Sequence, residues 1–128
     1  SGIERLRELG LGCMEIEFVR GVKMGVESAA FVAKTAKDEG ITLTTHAPYF
    51  INLNASEQDK IKASQQRLIQ TARIASICGA VSVVFHAAYY LGWPPEEVYT
   101  RVRDCLREVM ASLKREANSV FIRPEVTG

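Results

Sequence analysis

Two histidines and a glutamate are the residues of this sequence best placed to do chemistry. His46 and His86 are its only histidines, and each ends an apolar, strand-like run; Glu125 ends a third such run. Neutral imidazole nitrogens together with a carboxylate form the ligand set of hydrolytic zinc sites, which keep one position open. The pattern therefore predicts a divalent-metal site. A general acid–base cluster without metal is one alternative, and two core histidines satisfied by their neighbours are another.

The runs that carry these residues alternate with helical patterns. Strands joined by helices through short loops imply a parallel sheet with right-handed crossovers, and a complete eight-stranded barrel takes about 250 residues. The 128 residues therefore predict an α/β fold of parallel βα units that forms half, about four strands, of a TIM-type barrel, as one domain over 1–128. A free-standing flavodoxin-like sheet is the alternative. The predicted strands are 13–19, 41–46, 81–86 and 120–125; the predicted helices are 3–9, 27–39, one from Ser56 to Gly79 and one from Pro94 to Asn118.

Composition limits the class of protein. Sixteen basic and fifteen acidic residues nearly cancel, which disfavours a protein whose binding depends on phosphate contacts alone. No apolar run approaches the roughly 20 residues of a membrane span, and no signal peptide is recognisable. The three cysteines, Cys13, Cys78 and Cys105, lie far apart in apolar sequence and are expected to be reduced thiols. We therefore expect a cytoplasmic protein.

Polar and aromatic residues follow the strand ends and suggest a substrate site. Tyr49 and Asn52 lie on the loop after His46, and Tyr89 and Tyr90 follow His86. Such aromatic rings either pack on the protein or stack on a base or sugar. Arg20, with Lys23, follows the first strand and is placed to meet a phosphate at the same end of the sheet.

The first strand alternates apolar and acidic residues. Its carboxylates, Glu15 and Glu17, would face the inside of a barrel, where a charge needs a partner. Arg123 shares a strand face with Glu125, so we expect an interior ion pair between Arg123 and one of the two glutamates.

Three segments carry a resemblance to a known family. HAPYFINLN, then VVFHAAYYLG and then IRPEVTG resemble the endonuclease IV family of apurinic/apyrimidinic endonucleases, archaeal-type members above all. The resemblance implies a TIM-type barrel that uses three metal ions, usually zinc, to cut DNA 5′ of an abasic site during DNA repair. It makes His46 and His86 metal ligands, Glu125 a bridging ligand and catalytic residue, and Tyr49 a DNA contact.

The sequence also departs from that family. Ala87-Ala88 replaces the usual Pro-Gly after His86, and Val126-Thr127-Gly128 follows Glu125 in place of the commoner Asn-Thr-Ala-Gly. The family's remaining aspartate, histidine and glutamate ligands lie on strands six to eight, which this chain lacks. The resemblance therefore implies one His-His-Glu site rather than a three-metal centre.

The expected function is that of a segment of an endonuclease IV-like, metal-dependent phosphodiesterase with Zn²⁺ or Mn²⁺ as cofactor. DNA with an abasic site would be the partner of the intact relative, and the isolated chain would be weakly active or inactive. Three alternatives remain: a sugar isomerase or epimerase fragment, an inactive structural or engineered half-barrel, and a nucleic-acid-binding module without chemistry. Open strand edges predict a homo-oligomer.

Overall fold

The computed structural model describes residues 1–126, in which four helices alternate with four strands. Thr127 and Gly128, which the family resemblance includes, lie outside the described residues. The elements are α1 (Gly2–Glu8), β1 (Cys13–Glu17), α2 (Val26–Glu39), β2 (Thr42–His46), α3 (Gln58–Ile77), β3 (Ser82–His86), α4 (Pro95–Arg115) and β4 (Phe121–Glu125).

The four strands form one parallel sheet in the order β1-β2-β3-β4. Each strand pairs with the next strand along the chain, and the intervening helices pack on each other and on the sheet. This order is that of half a TIM-type barrel and confirms the predicted fold class. A flavodoxin-like sheet would instead reverse its strand order at a switch point.

One face of the sheet builds the hydrophobic core. Leu43, Val83 and Phe85 are at most 2% exposed and pack into a cluster that includes Leu68 of α3 and Leu113 of α4. Side chains of a strand alternate between the two faces of a sheet. The helices cover the face that carries Leu43, Val83 and Phe85, so the opposite face is left without a helical cover. The nearly continuous apolar run of β3 predicts a strand that is buried on both faces. The structure buries one, and Val84 and His86 on the other are only half-buried.

Glycine and backbone geometry end the helices, but one predicted start is wrong. Gly40 follows α2 with φ +67°, the left-handed conformation in which a glycine commonly ends a helix. Ser56 and Asp59 have the spacing of a capping box, but α3 begins at Gln58 rather than at Ser56 and has no side-chain cap. At the end of α4, Ala117 adopts φ +54° and the amide of Asn118 donates to the carbonyl of Leu113, which closes the last turn.

The predicted interior ion pair does not form among the described residues. β1 and β4 are the two outer strands of the sheet, so β2 and β3 separate Glu15 and Glu17 from Arg123. The Arg123 guanidinium instead lies 5.4 Å from the ring centre of Phe121 on its own strand. The error came from treating the half-barrel as closed, since only closure would bring β1 and β4 together.

No helix within residues 1–126 is both long enough and apolar enough to cross a membrane.

The uncovered face predicts self-association. Phe121 is 63% exposed on it, Glu15 and Glu17 are also exposed, and β1 and β4 each have an unpaired side within the described sheet. Unpaired edges and exposed apolar side chains favour pairing with another chain. We expect light scattering to give a mass above 14.2 kDa, as for a dimer or larger oligomer.

A matched pair of variants tests the surface involved. Phe121→Lys should lower the mass, whereas Phe50→Lys, which also removes a phenylalanine that is 63% exposed, should not. A monodisperse 14.2 kDa species at high concentration would contradict the expectation.

Thiol reactivity tests the burial pattern. Cys13 is exposed, whereas Cys78 is buried, and burial raises the pKa of the Cys78 thiol. Burial, with help from Glu108, also raises the pKa of Cys105. Because the thiolate is the reactive form, Cys13 should react with a disulfide reagent at least ~10-fold faster than the other two in dilute native protein at pH 8. Equal rates for all three thiols would show that the core is not packed as described.

Candidate metal centre

Three neighbouring strands deliver the three candidate ligands to one edge of the sheet. His46, His86 and Glu125 are the last residues of β2, β3 and β4. The register pairs His86 directly with Glu125, and His46 with Val84, two residues before His86. All three side chains therefore lie on the uncovered face, at the carboxyl ends of the strands.

The polar atoms of these side chains converge. One oxygen of Glu125 lies 3.4 Å from Nε2 of His46 and 3.7 Å from Nε2 of His86. The two imidazole rings are 5.2 Å apart, and one ligand atom from each residue falls within 4.8 Å of the other two. The geometry confirms that the sequence-distant residues meet. Whether a metal binds there stays a prediction.

The His46 ring is held by the backbone of the next residue. Its Nδ1 lies 2.8 Å from the carbonyl oxygen of Ala47, which can only accept, so Nδ1 carries the proton. Nε2 is then the ring nitrogen that faces Glu125 and that can serve as a ligand in the neutral imidazole. A histidine that donates from one nitrogen and ligates through the other is the usual arrangement at metal sites.

His86 lacks the corresponding anchor. Its Nδ1 is buried and has no hydrogen-bond partner among the described residues. The orientation of this ring therefore depends on the packing of the segment that carries it, rather than on a hydrogen bond of its own.

The three residues fit a divalent metal. Two nitrogens and one carboxylate, close together and accessible from one side, match the donor number and donor types of an open zinc site. The exposed fraction of the side chains rises from 12% for His46 to 31% for His86 and 52% for Glu125. A ligand would thus approach from the side of Glu125.

The predicted substrate residues occupy different positions around this centre. Tyr49 is 54% exposed, and its ring stands edge-on to His46 at 6.3 Å. Arg20 is exposed on the loop after β1. Asn52 is half-buried, and its side-chain oxygen accepts the backbone N–H of Asn54, so part of its hydrogen-bonding capacity shapes its own loop. None of these positions tests the predicted substrate contacts.

Sequence reasoning missed Asn54, which joins the two loops that follow the histidines. Its side chain is fully buried, and Nδ2 donates to the carbonyls of Tyr89 at 2.9 Å and Tyr90 at 3.3 Å. The N–H of Leu53 also donates to the carbonyl of Ala87. The signal was weak, because an asparagine in a loop most often makes a local turn.

A groove of about 510 Å³ begins at Glu125. The loop after β3, the first turns of α4 and the end of β4 form its walls. Its lining is mostly apolar and aromatic, and includes Tyr89, Tyr90, Tyr99 and Pro124. These tyrosines are 54–69% exposed, so the structure leaves their rings free for contact.

Comparison with known proteins identifies the architecture. The family model described as xylose isomerase-like TIM barrel matches residues 3–126. An uncharacterized protein of Methanocaldococcus jannaschii is 39% identical over the whole chain, which covers 46% of that protein. The chain thus spans about half the length of this relative.

Solved structures with the same fold belong to proteins with different activities. D-psicose 3-epimerase of Clostridium cellulolyticum gives a TM-score of 0.78 at 18% identity, over 99% of this chain and 46% of that one. Endonuclease IV of Thermus thermophilus gives 0.65 at 22% identity, over 85% and 41%. The protein TTHB071 of Thermus thermophilus, soaked with ZnCl₂, gives 0.67 at 24% identity, over 93% and 48%.

These identities establish the fold and leave the choice between the two activities open. The match over nearly all of the chain, together with the half-barrel observed, settles the family. The chain belongs to the xylose isomerase-like TIM barrel family.

Proposed function

We propose that the chain forms the metal-binding half of an endonuclease IV-like, metal-dependent phosphodiesterase. The observation that supports this function is the convergence of His46, His86 and Glu125 within 4.8 Å. Imidazole-rich sites suit zinc, whereas sites built from oxygen ligands suit magnesium or manganese. Zinc is therefore the first candidate, and manganese the second. The resemblance in sequence described above assigns these same three residues as ligands.

Each residue would have a distinct role. His46, locked by Ala47, would bind through Nε2, and His86 would complete a two-nitrogen face beside it. Glu125 would supply the negative charge and, at 52% exposed, reach the substrate side. A bound zinc ion would supply Lewis acidity for cleavage of a phosphodiester.

Two further residues would hold DNA at this site. Tyr49 stands beside His46 with an exposed ring and would stack on a base or sugar next to an abasic position. Arg20, on the loop after β1, would contact a backbone phosphate.

A sugar isomerase or epimerase is the second candidate. The observation that favours it is the better superposition on D-psicose 3-epimerase, at a TM-score of 0.78 over 99% of the chain, than on endonuclease IV, at 0.65 over 85%. The same metal site would then bind neighbouring hydroxyl and carbonyl oxygens of a small sugar. Assays with abasic-site DNA and with a ketose separate the two activities.

Metal content tests the site directly. We expect elemental analysis of the purified chain to give one zinc or manganese ion per chain. His46→Ala and His86→Ala should each raise the metal dissociation constant more than ~100-fold, beyond the 10–100-fold typical when only a ligand's partner is lost. Circular dichroism should change little, because both side chains lie on the uncovered face.

Thr44→Ala is the matched control. Thr44 lies on the same face of β2, two residues before His46, and its loss should leave the affinity for metal unchanged. Unchanged metal content in both histidine variants would show that the site is wrongly assigned.

Activity should be low in the chain by itself. The resemblance places further ligands on strands that this chain does not span, so nicking of abasic-site DNA should be negligible beside that of a full-length relative. Robust, chelator-sensitive nicking by the isolated chain would contradict this expectation. Chelator-sensitive conversion of a ketose, without nicking, would favour the second candidate.

A further inference from the structure

We infer that Asn54 is a positioning residue that holds His86 in its metal-binding orientation, an inference that rests on the proposed metal site. Asn54 belongs to the loop after β2, yet its hydrogen bonds reach the loop after β3, 35 and 36 residues further along the chain. It therefore joins the segments that follow two different candidate ligands.

The chemistry of the contact requires an amide. Both neighbours of Nδ2 are carbonyl oxygens, which only accept, so the side chain must present its two N–H donors to Tyr89 and Tyr90. An aspartate would place negative oxygens against two carbonyls. The side chain is 0% exposed, and buried hydrogen bonds of this kind are costly to leave unmade.

The bridge acts on the segment that begins directly after His86. The backbone N–H of Leu53 donates to the carbonyl of Ala87, and Asn54 then holds the carbonyls of Tyr89 and Tyr90. Three carbonyls among the first four residues after β3 are thus bound by two consecutive residues of the other loop. The start of this loop is therefore tied to the loop after β2.

His86 needs this support more than His46 does. Nδ1 of His46 is hydrogen-bonded to the adjacent Ala47, whereas Nδ1 of His86 has no partner among the described residues. A ring without its own hydrogen bond keeps its orientation through the backbone that carries it. His86, whose following segment Asn54 holds, is therefore the ring that depends on these contacts.

Asn118 offers a matched control. Its Nδ2 also donates to a backbone carbonyl, that of Ala72 at 2.9 Å, and its Oδ1 accepts the N–H of Val120. It joins α3 to the segment before β4, at the opposite end of the sheet from the histidines. N54A and N118A thus remove the same type of side-chain bridge from two ends of one fold.

The experiment measures zinc affinity by competition with a chelator, together with thermal unfolding of the metal-free chains. We expect N54A to raise the dissociation constant for zinc about 10- to 100-fold, the range for residues that orient ligands. N118A should also lower the melting temperature, because it loses two side-chain hydrogen bonds, but it should leave zinc affinity close to that of the parent chain. Equal zinc affinity in N54A and the parent chain would overturn the inference.

A second readout keeps this test separate from the metal site itself. In the metal-free chain, amide exchange of Leu53, and of Trp93, which donates to the carbonyl of Tyr90, should be faster in N54A than in N118A. If the parent chain binds no zinc, the proposed function fails, and the exchange data still decide whether Asn54 orders the loop. Unchanged exchange at both amides would overturn the inference.

N54S covers the case in which N54A does not fold. Its hydroxyl retains part of the hydrogen bonding, and it should give a smaller loss of zinc affinity in the same direction. Parent-like zinc affinity in N54S, together with faster exchange of the Leu53 and Trp93 amides than in the parent chain, would also overturn the inference.

Discussion

Parallel pairing of β2, β3 and β4 is the constraint on which the site depends. In a parallel sheet all strands end at the same edge, so the last residues of neighbouring strands become neighbours whatever their distance in sequence. The β3–β4 register places His86 directly opposite Glu125. Alternation along each strand then puts their side chains on the same face as His46. A shift of one residue in either strand would turn one ligand into the helical layer.

Because of the same alternation, one face of the sheet forms the core and the other carries the candidate ligands. Leu43, Val83 and Phe85 pack against the helices, and the residues that alternate with them along the strands form the uncovered face. Stability and chemistry therefore draw on different side chains of the same strands. The candidate ligands can be polar because the core does not need them, and the core can be tightly packed because it contains none of them.

Much of the fold followed from the sequence because its signals are local. Apolar runs that end in polar residues mark the strands, Gly40 marks the end of α2, and Pro94 and Pro95 mark the start of α4. The start of α3 failed because Ser56 and Asp59 resemble a capping box, while the backbone enters the helix two residues later. The expected burial of β3 on both faces failed because apolar composition does not reveal which neighbours are present.

The candidate ligands were predictable, but the contacts around them were not. Polar residues at three strand ends identify the candidate site once the strands are known to be parallel. By contrast, the bridge from Asn54 to Tyr89 depends on how two loops meet, and the hydrophobic periodicity of the sequence does not predict contacts between loops. The expected pairing of Arg123 with the glutamates of β1 failed for a related reason. Strand order, rather than residue type, decides which charges can meet.

The graded exposure of the three ligands has a kinetic consequence. His46 lies deepest, on an inner strand with its ring already locked, whereas Glu125 lies on an outer strand with half of its side chain in solvent. A metal ion would therefore meet one fixed imidazole, that of His46, and a movable carboxylate. Capture of the ion would depend on the His46 imidazole, and the residence time of the ion would depend on how often the carboxylate swings away. Whatever packs against the outer side of β4 would restrict that swing, so covering this edge would slow metal release without adding a ligand.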